Sequence, residues 1–206
     1  MLLSKADYRW EDKHAKGDFG SDYYHISQFI EEHAQGRKLS ILDLGCARGL
    51  QLAAAAHEGH RVVGIDLRQT AIDRARELFK QEGLEGEFIC DEFINITGKY
   101  DIVLDRGSIT CCGFSYAKQV IKNVSESLTT GGRFYFSPLS MDAKEYNEDE
   151  VGKDGLIHNA RDGFNLCYYS RKDLNKVIPE TLKMVEKPVL TTGDGYWIVV
   201  LEKSGD

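Results

Sequence analysis

The feature that most constrains the fold is a rhythm. Between Leu39 and Pro138, apolar runs ("LSILDLG", "RVVGID", "GEFIC", "YDIVLD" and "GGRFYFSP") alternate with helical segments, Leu50 to Glu58, Ala71 to Gln81 and Tyr116 to Leu128. Strands that are apolar along their whole length have no face to give to water. Alternated with helices, they predict a parallel sheet covered on both sides.

Local signals set the expected boundaries. Thr70 and Asp73 have capping-box spacing, Ser115 is placed to cap a helix opening at Tyr116, and the glycines of "TTGG" are expected to end that helix. After Pro138 the rhythm weakens. Residues 139–169 carry the acidic run "NEDEVGKD" and little periodicity, and then Ser170 and Asp173 form another capping box before a short helix. "TLKMVEKPVL" and "GYWIVVLEK", joined by "TTGDG", read as a closing antiparallel hairpin.

Composition bounds the partners. A chain of 206 residues falls in the one-domain range, and 42% hydrophobic with 29% charged residues is ordinary for a globular protein. A net charge of -7 opposes a nucleic-acid backbone, so small-molecule chemistry is expected and nucleic acid is not. No apolar run reaches the roughly 20 residues needed to cross a bilayer, and "MLLSKADYRWEDK" turns charged too early for a signal peptide. Five scattered cysteines without CxxC or zinc-like spacing read as reduced thiols, with no metal expected. The expected location is the cytoplasm.

In an open α/β sheet a ligand lies beyond the carboxyl ends of the strands, where strand order reverses. Residues 45–49, Gly-Cys-Ala-Arg-Gly, occupy that place. They lack the GxxxxGK[ST] of a phosphate loop and the GxGxxG of a dinucleotide fold. What remains is a nucleoside with a polar tail: Asp43 can orient an ammonium group, and Asp66 can accept both hydroxyls of a ribose. Those residue types point to S-adenosylmethionine.

At this point the sequence resembles the class I S-adenosylmethionine-dependent methyltransferases. "DLGCARG" matches the family's acid-x-Gly-x-Gly-x-Gly loop at Asp43, Gly45 and Gly49, with Ala47 where the middle glycine stands; alanine there is awkward if the backbone needs a positive φ. Asp66 matches the ribose-binding acid, Asp91 in "FICDEF" the position facing the adenine amino group, and Asp105 in "YDIVLDRGSI" the fourth-strand position beside the transferred methyl.

The resemblance implies a Rossmann-like three-layer α/β sandwich with a seven-stranded, mostly parallel sheet and an antiparallel C-terminal hairpin. The implied cofactor set is Asp43, Gly45, Cys46, Ala47, Gly49, Asp66, Leu67, Asp91, Glu92, Phe93 and Asp105. One methyltransferase domain is expected over 1–206, with an N-terminal helical cover (1–38), a cofactor core (39–137), an acceptor-side insertion (138–170) and a C-terminal helix and hairpin (171–206). "DRG" looks like small-molecule members, and no Asn-Pro-Pro-Tyr motif of amino-methylating DNA enzymes follows the fourth strand.

Plainer readings stand beside these. Asp43 and Asp66 can serve as turn or helix caps, Phe93 as core, Cys111 and Cys112 as small buried side chains, and Ile26, Phe29 and Ile30 as ordinary helix packing. On the acceptor side His158 is the candidate general base and Tyr168 its companion, with Arg161, Tyr169, Tyr23, Tyr24 and His25 as further candidates. The residues leave other functions open: an RNA or protein methyltransferase, an NAD(P)-dependent oxidoreductase with a degraded fingerprint, or a non-catalytic S-adenosylmethionine-binding module.

Overall fold

A computed structural model describes residues 23–144, 146, 150–159, 164–191 and 195–205. Five parallel strands build the first part of the sheet: β1 (Ser40–Leu44), β2 (Arg61–Asp66), β3 (Glu87–Cys90), β4 (Tyr100–Arg106) and β5 (Leu128–Ser137). The helices around them are α1 (Tyr23–Ala34), α2 (Leu50–His57), α3 (Gln69–Glu82) and α4 (Phe114–Ser127). After β5 come a separate antiparallel hairpin, β6 (Leu156–Asn159) with β7 (Phe164–Cys167), and then α5 (Arg171–Val177). The chain closes with β8 (Leu182–Met184), β9 (Val189–Leu190) and β10 (Trp197–Lys203).

The sheet order is β3-β2-β1-β4-β5-β10-β8, seven strands in a path, with β9 pairing beside β10. Strand β10 runs antiparallel to both neighbours, so the expected antiparallel hairpin is present, though its first arm is split into β8 and β9. The order reverses at β1 and β4, whose carboxyl ends therefore open a crevice.

Two apolar layers pin the sheet. On one face α4 buries Ala117, Val120, Ile121 and Val124, the i, i+3, i+4, i+7 stripe of an amphipathic helix, against Val103, Phe134 and Phe136. On the other, α1 sets Ile26, Phe29 and Ile30 against Ile41, Ile102 and Tyr135, with the Phe29 and Tyr135 rings 5.3 Å apart. The packing reading of Ile26, Phe29 and Ile30 is thus what the structure contains. Most of the expected cover, residues 1–22, lies outside the described residues, as do Arg161 and the side chains of Tyr23 and Tyr24.

Several boundaries differ from expectation for identifiable reasons. Helix α3 starts at Gln69, preceded by Arg68 with no side-chain cap, because Asp73 is engaged by the Gln69 amide at 2.8 Å and not by Thr70. Helix α4 starts at Phe114 and not Tyr116, so Ser115 lies inside the first turn. "TTGG" does not end that helix: the chain passes directly from Ser127 into β5, and Gly131 takes φ 73 within the strand at a register shift. The Ser170–Asp173 capping box is present in full at α5. No helix among the described residues is long and apolar enough to cross a membrane.

Candidate functional site

The loop after β1 is built by backbone geometry. Gly45 has φ 70 and donates its N–H to Ile65 O at 2.8 Å, which turns the chain back onto β2. A β-carbon at Gly45 would fall on the Ser108 hydroxyl and lie 2.6 Å from Ser108 Cβ. The glycine therefore lets the first loop close against the loop after β4, a contact the sequence reading did not anticipate. Gly49, with φ 75, precedes α2.

Ala47, the residue in place of the middle glycine, does take a positive φ, 51. A β-carbon in this left-handed region costs about 1–2 kcal/mol. The compensation comes from β2: Ala47 N–H donates to Asp66 Oδ2 at 3.0 Å, while Arg68 N–H donates to Asp66 Oδ1 at 2.9 Å. Asp66 thus locks the loop to the strand end. Burial raises its pKa, and those two N–H groups oppose the rise. Each of its oxygens accepts one of these bonds and has lone-pair capacity for another.

Leu67, next in sequence, is 59% exposed, a large apolar side chain left facing solvent at the same strand end. Asp91 lies across from it, its N–H donating to Asp66 O at 3.1 Å and its Oδ1 accepting from Glu92 N and Asn95 Nδ2. Glu92 Oε2 accepts from Tyr116 Oη at 2.9 Å, and Phe93 meets the Tyr116 ring edge-on at 6.2 Å. Asn95 and Tyr116 were missed by the sequence reading. Tyr116 carries no motif, and only its presence in the first turn of α4 brings it here.

Three of the proposed residues are core elements. Cys46 is buried against Gly64 and Leu52, its thiol pushed up in pKa by burial. Asp43 is buried too, and its carboxyl is raised well above the usual range by burial first, then by the charges of Asp105 and Asp66.

Asp105 is 0% exposed, its Oδ1 folded back to accept from Ser108 N at 3.1 Å and Ile109 N at 2.9 Å, so it caps the 3-10 turn Ile109–Cys111. Its Oδ2 has no hydrogen-bond partner among the described residues. Burial pushes its pKa to about 7 against the pull of neighbouring backbone N–H groups. Cys112, half-buried beyond that turn, has its thiol raised to about 12 by burial and then by Cys111 and Asp105, which suits a packed side chain rather than a nucleophile.

That burial has a testable sign. A carboxyl titrating near 4 when unfolded and near 7 when folded holds its proton more tightly in the native state, so its contribution to stability is full at low pH and is lost as pH rises from about 4 to 7. Asp105→Asn keeps an acceptor for Ser108 and Ile109 and removes the charge. Its thermal midpoint is expected to exceed that of the wild type by an amount that widens by several degrees between pH 4 and 7; a constant gap in calorimetric scans overturns the assignment.

On the acceptor side, His158 is exposed on β6, its Nδ1 3.1 Å from Asn165 Oδ1 on β7. Tyr168 is 3% exposed and packs with Leu139, Ala143, Ile157 and Leu166, its ring 5.5 Å from that of Tyr146. Tyr169 is fully buried, edge-on to Phe114 and Phe136, and its hydroxyl has no hydrogen-bond partner among the described residues. His158 and Tyr168 point into different surroundings.

A family model described as "Methyltransferase domain" matches residues 41–132. Among curated relatives, a ubiquinone biosynthesis O-methyltransferase of Coxiella burnetii is 28% identical over 138 residues, 64% of this chain and 56% of that protein. The chain thus spans little more than half the length of that relative. Among solved structures, an S-adenosylmethionine-dependent methyltransferase of Clostridium acetobutylicum superposes with a TM-score of 0.72 at 20% identity, covering 94% of this chain and 96% of the other. The 1,6-didemethyltoxoflavin-N1-methyltransferase of Burkholderia thailandensis, solved with 1,6-didemethyltoxoflavin and S-adenosylhomocysteine, superposes with a TM-score of 0.74 at 19% identity over 100% of this chain and 92% of the other.

Proposed function

We propose that this chain, whose residues 41–132 match a methyltransferase-domain model and whose fold is that of the class I S-adenosylmethionine-dependent methyltransferases, is a member of that family and moves a methyl group from S-adenosylmethionine to a small-molecule acceptor. The observation that carries this reading is the state of Asp66. A carboxylate at the second strand end, tied by one N–H on each oxygen and oriented by them, is ready to accept two further donors, as a ribose supplies. Exposed Leu67 beside it gives an apolar surface suited to a purine face. The donor set fits the cofactor.

In this proposal Asp66 holds the ribose, Leu67 and Phe93 flank the base, Asp91 and Glu92 face its edge, and the 45–49 loop follows the amino-acid tail. Burial makes Asp43, Cys46 and Asp105 supports, which fix the loops that carry those contacts. The sulfonium, when bound, supplies an electrophilic methyl carbon. The chain's own contribution is then to align an acceptor lone pair with it and exclude water.

A small-molecule acceptor is supported by the net charge of -7 and by the didemethyltoxoflavin bound in a structural neighbour. A cytoplasmic location goes with this proposal, and all five cysteines are free thiols. His158, exposed on the hairpin after β5, is the proposed base, while buried Tyr168 is assigned to the wall behind it. His158→Ala is expected to lower methyl transfer by about a hundredfold, the usual order for a general base, with S-adenosylhomocysteine affinity changed by about twofold at most. Full turnover in the variant removes His158 from the mechanism.

The decisive experiment is calorimetry of the wild-type chain with S-adenosylhomocysteine and, separately, NADH, followed by methyl transfer to a panel of phenols, amines, thiols and carboxylic acids. Binding of the first ligand and turnover with a panel member is the expected outcome. Stabilisation by NADH alone overturns it.

A further inference from the structure

Helix α4 begins without a cap of its own. Gly113 precedes it, and a β-carbon there would meet Asp154 Cγ at 3.0 Å. The cap comes from Asp154, whose carboxylate accepts from Ser115 N at 3.1 and 3.0 Å and from Ser115 Oγ at 2.8 Å. Asp154 reaches this position with φ 59 and ψ 30, a left-handed conformation that Asp tolerates better than most residues. Gly155 then packs against the Phe114 ring, where a β-carbon would lie 3.1 Å from Cζ. Cys167, the last residue of β7, donates its thiol to Asp154 O at 3.5 Å. Both arms of the β6–β7 hairpin are therefore anchored at one residue.

The opposite side of the same helical turn touches the candidate cofactor loop. Tyr116 Oη donates to Glu92 Oε2, and its ring meets Phe93. Further along α4, Asn123 Nδ2 donates to Ile94 O at 2.7 Å. The hairpin itself lies over the carboxyl ends of β4 and β5: Cys167 packs beside the Ile109–Cys111 turn, and Tyr169 N donates to Leu139 O at 2.7 Å. A second substrate must arrive at that end of the sheet if the cofactor lies on the first loop.

We infer that Asp154 is a positioning residue that fastens the β6–β7 hairpin to the first turn of α4, and that through this turn the hairpin responds to occupancy of the Glu92–Phe93 loop. The inference rests on the cofactor reading of that loop. A ligand against Glu92 and Phe93 holds Tyr116, which fixes the turn that presents Ser115 to Asp154. With Asp154 engaged, the hairpin is held over β4 and β5; with it released, the hairpin keeps its apolar packing through Leu156, Cys167 and the Tyr168 cluster but loses its polar tie to α4. The carboxylate suits its place, because an anion at a helix N-terminus is favoured by the unsatisfied N–H groups and the helix dipole. By linkage, whatever the loop does to the hairpin, the hairpin does equally to the affinity of the loop.

The coupling is measured directly, by exchange and by affinity. Hydrogen exchange of the full chain is followed by mass spectrometry in peptides covering residues 156–167, with and without saturating S-adenosylhomocysteine, and its affinity is measured calorimetrically for each variant. In the wild type the ligand is expected to slow exchange in the hairpin. In Asp154→Ala, hairpin exchange without ligand rises about tenfold or more, affinity changes by about threefold at most, and the ligand no longer slows the hairpin. Asp154→Asn keeps a capping oxygen and is expected to restore most of the response. Tyr116→Phe removes the bond to Glu92 and is expected to lose the response with unliganded exchange near wild type; this variant and Asp154→Asn carry the test if Asp154→Ala does not fold. A full ligand response in either Asp154→Ala or Tyr116→Phe, or none in a wild-type chain that binds the ligand, overturns the inference. Absence of any ligand binding to the wild type overturns the cofactor reading, and the calorimetry alone distinguishes that failure.

Discussion

Gly45→Val is expected to abolish S-adenosylhomocysteine binding. Two independent costs converge on this position. The φ of 70 places a β-branched side chain in the left-handed region, at about 1–2 kcal/mol, and its β-carbon would fall on the Ser108 side chain. The clash is relieved only if the first loop parts from the loop after β4, which takes the 45–49 segment away from the strand end. The thermal midpoint should fall by several degrees while far-UV circular dichroism keeps its shape, since the defect lies in a loop and the apolar layers are untouched. The double variant Gly45→Ala with Ser108→Gly separates the causes: removing the clash recovers part of the stability, and the φ penalty remains. Normal binding by Gly45→Val in calorimetry sinks this account of the loop.

Asp66→Ala has the second large effect, and it is larger than the loss of a ribose contact alone would give. Hydrogen bonds to a charged acceptor are worth about 1.5–3 kcal/mol, which corresponds to roughly ten- to a hundredfold in affinity. The same carboxylate holds Ala47 N–H and Arg68 N–H, so its removal also releases the strained Ala47 and the start of α3. Affinity should therefore fall toward the hundredfold end of that range. Asp66→Asn, which keeps one acceptor oxygen, should lie between wild type and alanine. Unchanged affinity in a folded Asp66→Ala variant places the nucleoside elsewhere.

The sheet was legible because its signal is long and redundant. Five apolar runs at regular intervals leave little choice of architecture, and single-residue errors do not move it. The elements that failed were those whose cause lies outside the local window. Thr70 lost its cap role to a competing bond between Gln69 and Asp73, two residues that the spacing rule does not weigh. Ser115 was placed at the helix start by its type, yet it is the recipient of a cap supplied from Asp154. The "TTGG" glycines looked like a helix stop, but the strand pairing from Leu128 and the bulge at Gly131 account for them.

The candidate site shows the same division. Position along the chain was legible: strand-end acids do stand at strand ends. Direction was not. Asp105 turns back into its own 3-10 turn and is wholly buried, whereas apolar Leu67 faces outward. Burial of Tyr168 likewise depends on Leu139, Ala143, Ile157 and Leu166, residues that no motif links. Ser108 and Tyr116 carry no pattern at all; they matter because a glycine and a helix turn bring them to the loops.

The remote cap on α4 also bears on how the chain is made. Ser115 and its partner Asp154 are separated by 39 residues, so during synthesis the helix emerges well before the carboxylate that completes it. Until then its first turn must rely on water for its N–H groups, and frays. The five parallel strands can assemble in that interval, since β1 to β5 end at Ser137. Closing a loop of this length carries an entropic cost that grows only slowly with further residues, but the contact forms only once both ends exist. On a growing chain the first turn of α4 is therefore completed only after β1 to β5 have all been made. In a nascent chain stopped short of Asp154, the Ser115 amide is expected to exchange faster than in the full chain.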